Sequence, residues 1–193
     1  MSGVVIVGAG LAGARCAEAL RAAGAEIPIT LVGAEHVGPY ERPALSKEFL
    51  AGTRAEEDLF LRPPGAWGDR GIDLRLGSPV ESVDLHRRIV LIRGRELAWS
   101  HLVLATGARA RRLPGTAFPN VHHLRTLADA VALRAAVRRD SRLVVIGAGF
   151  VGAEVASTAT GLGAKVTLIE AETAPLARVA GAEVGYLDRK SVV

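Results

Sequence analysis

Cysteine is almost absent from this chain: Cys16 is the only one among 193 residues. An internal disulfide, a C-x-x-C redox pair and a cysteine zinc cage are therefore excluded. Cys16 sits within the first helical segment and reads as a packing residue; no metal site is expected. Aromatic residues make up only 4% of the chain, too few for the stacking platforms of single-strand nucleic-acid binders. Lysine is scarce too. Lys47, Lys165 and Lys190 stand among scattered arginines, and the net charge of +4 gathers into no basic run, so nucleic acid is not an expected partner. Every apolar stretch is broken by glycine or charge before it reaches membrane-spanning length. The opening "MSGVVIVGAG" enters a strand at once, with no charged leader and no cleavage site, so the expected location is cytoplasmic and no membrane partner is expected. What the chain does have is apolar content of 49%, enough to bury a core.

It also has an internal echo. "VVIVGAGLAGARCAEALRAAGAEIPITLVGAE", residues 4–35, returns as "LVVIGAGFVGAEVASTATGLGAKVTLIEAE", residues 143–172. Each copy reads as an apolar run, a glycine turn, an alanine-rich helix, a small-residue stop and a second apolar run. Unbroken apolar runs of this length fit parallel strands buried on both faces. The spacing predicts helices over 11–23 and 150–162, stopped by Gly24 and Gly163. Between the copies, 72–76, 80–84, 88–92 and 96–99 read as short strands, with Gly77 and residues 93–95 as turns. Residues 101–108 read as another buried strand. Pro114 and Pro119 then bar regular structure, and a helix is expected over 127–138, with Thr126 as its N-cap and Arg138 and Arg139 at its negative end. The fold class is α/β, with two Rossmann-like dinucleotide-binding βαβ domains. A boundary near 108–115 divides residues 1–110 from 111–187.

Gly8, Gly10 and Gly13 form G-x-G-x-x-G between a strand and a helix. The first glycine permits the tight turn, the second lets backbone approach a pyrophosphate, and the third lets helix and sheet sit close. Phosphates then meet free N–H groups at the positive end of a helix. Glu35 follows at the end of the second strand, where a carboxylate can accept both ribose hydroxyls. Gly147, Gly149 and Gly152 repeat the design, with Glu170 closing the corresponding strand. An acidic residue there repels a 2′-phosphate and no arginine follows immediately, which favours NADH over NADPH. Glu18 and Glu154 fall within the two helices and are assigned no chemistry.

Between the first copy and the short strands lies "GPYERPALSKEFLAG", a stiff loop carrying Arg42 and Lys47. Pro43 is expected to hold Arg42 extended, and Ser46 to cap a short helix ending at Gly52. Taken with "GAGLAGARCAEALR", "LVLATGARARRLPG", "LRTLADAVALR" and "VVIGAGFVGAEVA", this loop resembles the ferredoxin-reductase subfamily (putidaredoxin and rubredoxin reductase-like) of the FAD/NAD-dependent pyridine nucleotide-disulfide oxidoreductases. The resemblance spans residues 3–180.

The resemblance implies FAD on residues 1–110 and NADH on 111–187. It sets Gly8, Gly10, Ala12 and Gly13 at the FAD pyrophosphate and Glu35 at its ribose. Arg42 and Lys47 go to the flavin side, Val80 to the adenine, Thr106 and Gly107 to the return strand beside the cofactor, and Arg125 to FAD from a hinge. Gly147, Gly149, Val151, Gly152 and Glu170 would hold NADH. The implied reaction passes a hydride from NADH to flavin N5. The reduced flavin then passes single electrons to a [2Fe–2S] ferredoxin or a rubredoxin that serves an oxygenase or cytochrome P450. Lys47 is the one catalytic candidate, as a positive charge beside the flavin. Rubredoxin reductase, nitrite-reductase-like and NADH oxidase readings stay open within this class, and a non-catalytic nucleotide-binding module outside it. Family members are longer, three-part chains, so this one is expected to be an N-terminal portion with both dinucleotide-binding domains incomplete, and not to be active alone. Asp188–Val193 match the translation of a common sequencing-library adapter and are expected to be a non-native tail.

Overall fold

The computed structural model describes residues 2–181 and 183; the expected tail at 188–193 lies outside them. The chain divides into two compact units, residues 1–41 with 60–108, and residues 42–59 with 109–193. Residues 42–59, assigned from the sequence to the first domain, thus cluster with the second unit.

In the first unit, strand β1 (Gly3–Val7), helix α1 (Leu11–Ala22) and strand β2 (Ile29–Val32) form the βαβ of the first glycine motif. Strands β3 (Ile72–Arg75), β4 (Val80–Asp84), β5 (Ile89–Ile92) and β6 (Arg95–Leu104) complete a sheet of order β3-β2-β1-β6-β5-β4. β1 runs parallel to β2 and β6, β2 parallel to β3, and β4, β5 and β6 antiparallel. The stretches 96–99 and 101–108 belong to one long strand that ends at Leu104. Its first part pairs with β5 and its second with β1, and a register shift leaves out Ser100, whose hydroxyl donates to the Gly3 carbonyl at 3.0 Å.

Alternation of side chains sends β1 into two cores. Val4 and Ile6 join Ala14 and Ala17 of α1, with Ile29, Leu31, Trp67 and Ile72. Val5 and Val7 join Val32 with Val90 and Ile92 of β5. Every residue of β1 and β2 is buried as a result, and each large aliphatic side chain so covered contributes about 1.5–3 kcal/mol. The residues 42–59 leave this unit at Glu41 and re-enter it at Phe60. A Tyr40–Phe60 bridge and a 2.9 Å bond from Leu61 N to Pro39 O close the gap.

In the second unit, a 3-10 turn (Arg42–Ser46) leads into helix α2 (Glu48–Ala51). Helix α3 (Leu127–Ala136), strand β7 (Arg142–Ile146), helix α4 (Phe150–Gly161), strand β8 (Lys165–Ile169) and helix α5 (Ala177–Ala180) follow. β7 and β8 pair in parallel. One face packs Leu143, Val145 and Val166 against Leu133, Val137, Val155 and Ala159, with Leu50 of α2. The expectation that both faces are buried fails here: burial alternates along both strands. Val144, Ile146 and Ile169 are 56%, 61% and 49% exposed, because among the described residues no further strand or helix lies over that face.

Three local expectations change as well. α3 ends at Ala136, short of Arg138 and Arg139. Its last turn carries Arg134 instead, whose guanidinium lies 5.2 Å from the centre of the Phe49 ring. Arg42 opens a 3-10 turn and is not extended; Pro43 then occupies the second position, where a missing N–H costs nothing. Ser46 caps no helix, since α2 begins after Lys47 with no side-chain cap. Thr126 is the N-cap of α3, in a reciprocal capping box with Asp129. Among the described residues no helix is long and apolar enough to cross a membrane, and no cluster of ligands could hold a metal ion.

Candidate functional site

The two glycine turns share one local geometry. The Gly8 N–H donates to Val32 O and the Gly147 N–H to Ile169 O, both at 2.8 Å. In each copy, then, the turn is tied to the end of the second strand. Gly10 and Gly149 are the N-caps of α1 and α4. Their dihedrals nearly coincide, at −82° and −172° for Gly10 and −76° and −174° for Gly149, and neither helix has a side-chain cap. A Cβ on either residue would meet nothing within 4 Å. No side chain therefore caps the first N–H groups of either helix, and the glycine before each helix brings no side chain of its own. This donor set fits an anionic pyrophosphate at both places. Ala12 and Val151 lie in the first helical turns, both exposed.

Around the first turn, β6 runs alongside and delivers Ala105 to it. The Ala105 N–H donates to Val7 O at 2.8 Å, and a Cβ on Gly8 would overlap the Ala105 carbonyl. Thr106 and Gly107 follow, exposed, with Gly107 in the left-handed region. Val80 is half-buried and packs with the Val5–Val90 cluster. Glu35 stands three residues past the end of β2. The buried Tyr40 donates its hydroxyl to Glu35 Oε2 at 2.8 Å, and the Gly77 N–H donates to the Glu35 carbonyl at 2.7 Å. On the outside of α1, Glu18 accepts from Arg62 at 2.6 Å and Arg15 at 2.8 Å. Burial pushes its carboxyl upward, but the hydrogen bonds and charges of Arg62 and Arg15 outweigh this and hold it below the usual range.

The second turn borders a cavity of about 390 Å³ lined by Gly147, Ala148, Gly149, Glu170, Glu172 and Arg178, among others. The Glu170 carboxylate accepts from the N–H groups of Ala148 at 2.5 Å, Ala171 at 2.7 Å and Glu172 at 3.0 Å. The Glu172 and Ala148 bonds foremost lower its pKa. Glu170 therefore braces the turn, by bonding Ala148 inside it. In the register of the repeat, Glu35 corresponds to Glu172, and Gly33 to Glu170. Arg178 is a cation on this pocket that the sequence reading did not see. It lies too far along the chain to count as following the strand, and α5 brings it back.

Lys47 and Arg42 both belong to the second unit. Lys47 Nζ lies 3.1 Å from Glu154 Oε1, and the buried Ser46 donates its hydroxyl to Glu154 Oε2 at 2.5 Å. Thr158, one turn further along α4, donates to the Ser46 carbonyl at 2.8 Å. Glu154, assigned no role from the sequence, is thus the partner of the one catalytic candidate. The repeat carried a signal for it, because the same position in the first copy is Arg15. The Arg42 guanidinium donates to the Arg125 carbonyl at 2.6 Å, while the Arg125 N–H donates to Asp129 at the start of α3. The structure thus brings Arg42 to Arg125, and Lys47 to α4.

Two βαβ units, each with a glycine turn on a helix N-terminus, have the local architecture of dinucleotide-binding domains. Residues 2–191 match the pyridine nucleotide-disulphide oxidoreductase family, and the chain belongs to it. It is 46% identical over 181 residues to a ferredoxin–NAD(P)(+) reductase of a Sphingomonas species, covering 92% of this chain and 44% of that one. It is 43% identical over 179 residues to a rubredoxin–NAD(+) reductase of Ectopseudomonas oleovorans, covering 91% and 46%. Among solved structures, the covalent putidaredoxin reductase–putidaredoxin complex aligns with a TM-score of 0.94 at 42% identity, covering all of this chain and 48% of that one. The chain spans about half the length of the curated relatives it matches.

Proposed function

We propose that this chain supplies the FAD- and NADH-binding regions of a cytoplasmic NADH-dependent ferredoxin reductase. The observation that carries the reading is the pair of uncapped helix starts, each beside a glycine whose missing side chain leaves open space. FAD is assigned to the first turn: Gly8, Gly10, Ala12 and Gly13 at the pyrophosphate, Glu35 at the ribose, and Val80, Thr106 and Gly107 alongside. Arg42, Lys47 and Arg125, in the second unit, are assigned to the flavin on the family resemblance alone. NADH is assigned to the second turn, through Gly147, Gly149, Val151, Gly152 and Glu170. An acidic rim of Glu170 and Glu172 supports NADH over NADPH, although Arg178 on the same cavity tempers that preference.

When bound, the two cofactors supply hydride transfer followed by release of single electrons. The chain's own part is to bind, orient and set charge. Lys47, held by Glu154, carries a positive charge that offsets negative charge on a reduced flavin. Glu154, held in turn by Ser46, keeps the ammonium in one place. The acceptor is a [2Fe–2S] ferredoxin; rubredoxin is the second reading, favoured by the likeness to rubredoxin reductases.

The test is made with residues 1–187 of this chain carried in a reductase of the relatives' full length, with FAD added. A bound oxidised-flavin spectrum that NADH bleaches without oxygen is the expected result. Lys47→Ala is expected to slow the bleaching about tenfold or more. A chain that takes up no flavin, or a Lys47→Ala variant with parental rate and flavin content, contradicts the assignment.

A further inference from the structure

Tyr40 is a tyrosine with only 3% of its surface exposed, on a chain poor in aromatics. Its ring stands edge-on to Phe60, centres 6.5 Å apart and planes at 82°, and its backbone bridges the same residue. A buried phenol is held at its ring and aims its polar end at a partner; here the hydroxyl donates to Glu35 Oε2 at 2.8 Å. Glu35 lies beyond the last residue of β2, and fixing its long carboxylate side chain in one rotamer costs conformational entropy. Its backbone is fixed through Gly77 and its side chain through Tyr40.

We propose that Tyr40 is a positioning residue for cofactor selection: it holds the Glu35 carboxylate in the orientation that accepts the hydroxyls of an adenosine ribose. This rests on the reading of the first turn as the FAD site. A donor that holds one side of a carboxylate reduces the ordering cost of binding, so its removal weakens affinity without touching the ligand.

The test compares parent, Tyr40→Phe, Glu35→Ala and the double variant by titration with FAD and with its 2′-deoxyadenosine analogue. Phenylalanine keeps the ring against Phe60, and matching melting curves establish that the fold is kept. Tyr40→Phe is expected to weaken FAD about three- to tenfold, to leave the analogue's affinity closer to parental, and to add nothing in the Glu35→Ala background. If Glu35→Ala weakens FAD while Tyr40→Phe does not, the positioning role is overturned and the FAD site stands. Equal weakening of FAD and analogue, or further weakening in the double variant, also overturns it by revealing a general structural effect. If Glu35→Ala binds FAD as the parent does, the ribose assignment itself fails and this inference with it.

Discussion

The two glycine turns are nearly superimposable in their local bonds and opposite in their surroundings. At Gly8, φ is +115° and a side chain would strike the Ala105 carbonyl; at Gly147, φ is +98° and the same side chain would meet nothing within 4 Å. Val5 and Val7 are covered by β5, while their counterparts Val144 and Ile146 face outward. Turn, cap and strand-end hydrogen bond come from a short run of sequence and form in both copies. The enclosure of the first copy comes from residues 80–104, far along the chain. The comparison separates what a motif specifies from what its surroundings add.

Substitution at the first glycine should break this likeness most strongly. Gly8→Ala combines backbone strain with a clash and is expected to cost about 2–6 kcal/mol, whereas Gly147→Ala carries only the strain, about 1–3 kcal/mol. Urea unfolding of the two variants measures the difference, and equal losses would mean that β6 does not constrain the first turn. A smaller contrast lies on the sheet faces. Val5→Thr buries an unmatched hydroxyl and is expected to cost about 1–3 kcal/mol. Val144→Thr changes an exposed position and should stay within about 0.5 kcal/mol. A matching loss at both positions would show that the outer face of β7–β8 is covered in solution.

The sequence was most legible where structure is local. The βαβ elements, the left-handed stops at Gly24 and Gly163 and the Thr126 cap each rest on a few neighbouring residues. It was least legible where partners are distant. Nothing within the loop says that Ser46 bonds a carboxylate more than a hundred positions away and so leaves its helix uncapped. Glu154 was assigned no chemistry because its partner, Lys47, is supplied by a different element. The β7–β8 face read as buried because apolar composition records a preference for cover and not its presence. Glu170 and Glu172 were separable only through the repeat register together with the three amides that converge on Glu170.

The most direct test of the central claim, two turns for two different dinucleotides, uses the open space at Gly10 and Gly149. Both residues have dihedrals open to any residue, so Gly10→Glu and Gly149→Glu should fold while setting a carboxylate against a pyrophosphate. FAD and NADH are titrated separately into the parent and each variant. Gly10→Glu is expected to weaken FAD by about a hundredfold and leave NADH unchanged, with Gly149→Glu doing the reverse. Loss of both nucleotides in one variant, or of neither in both, would contradict the account.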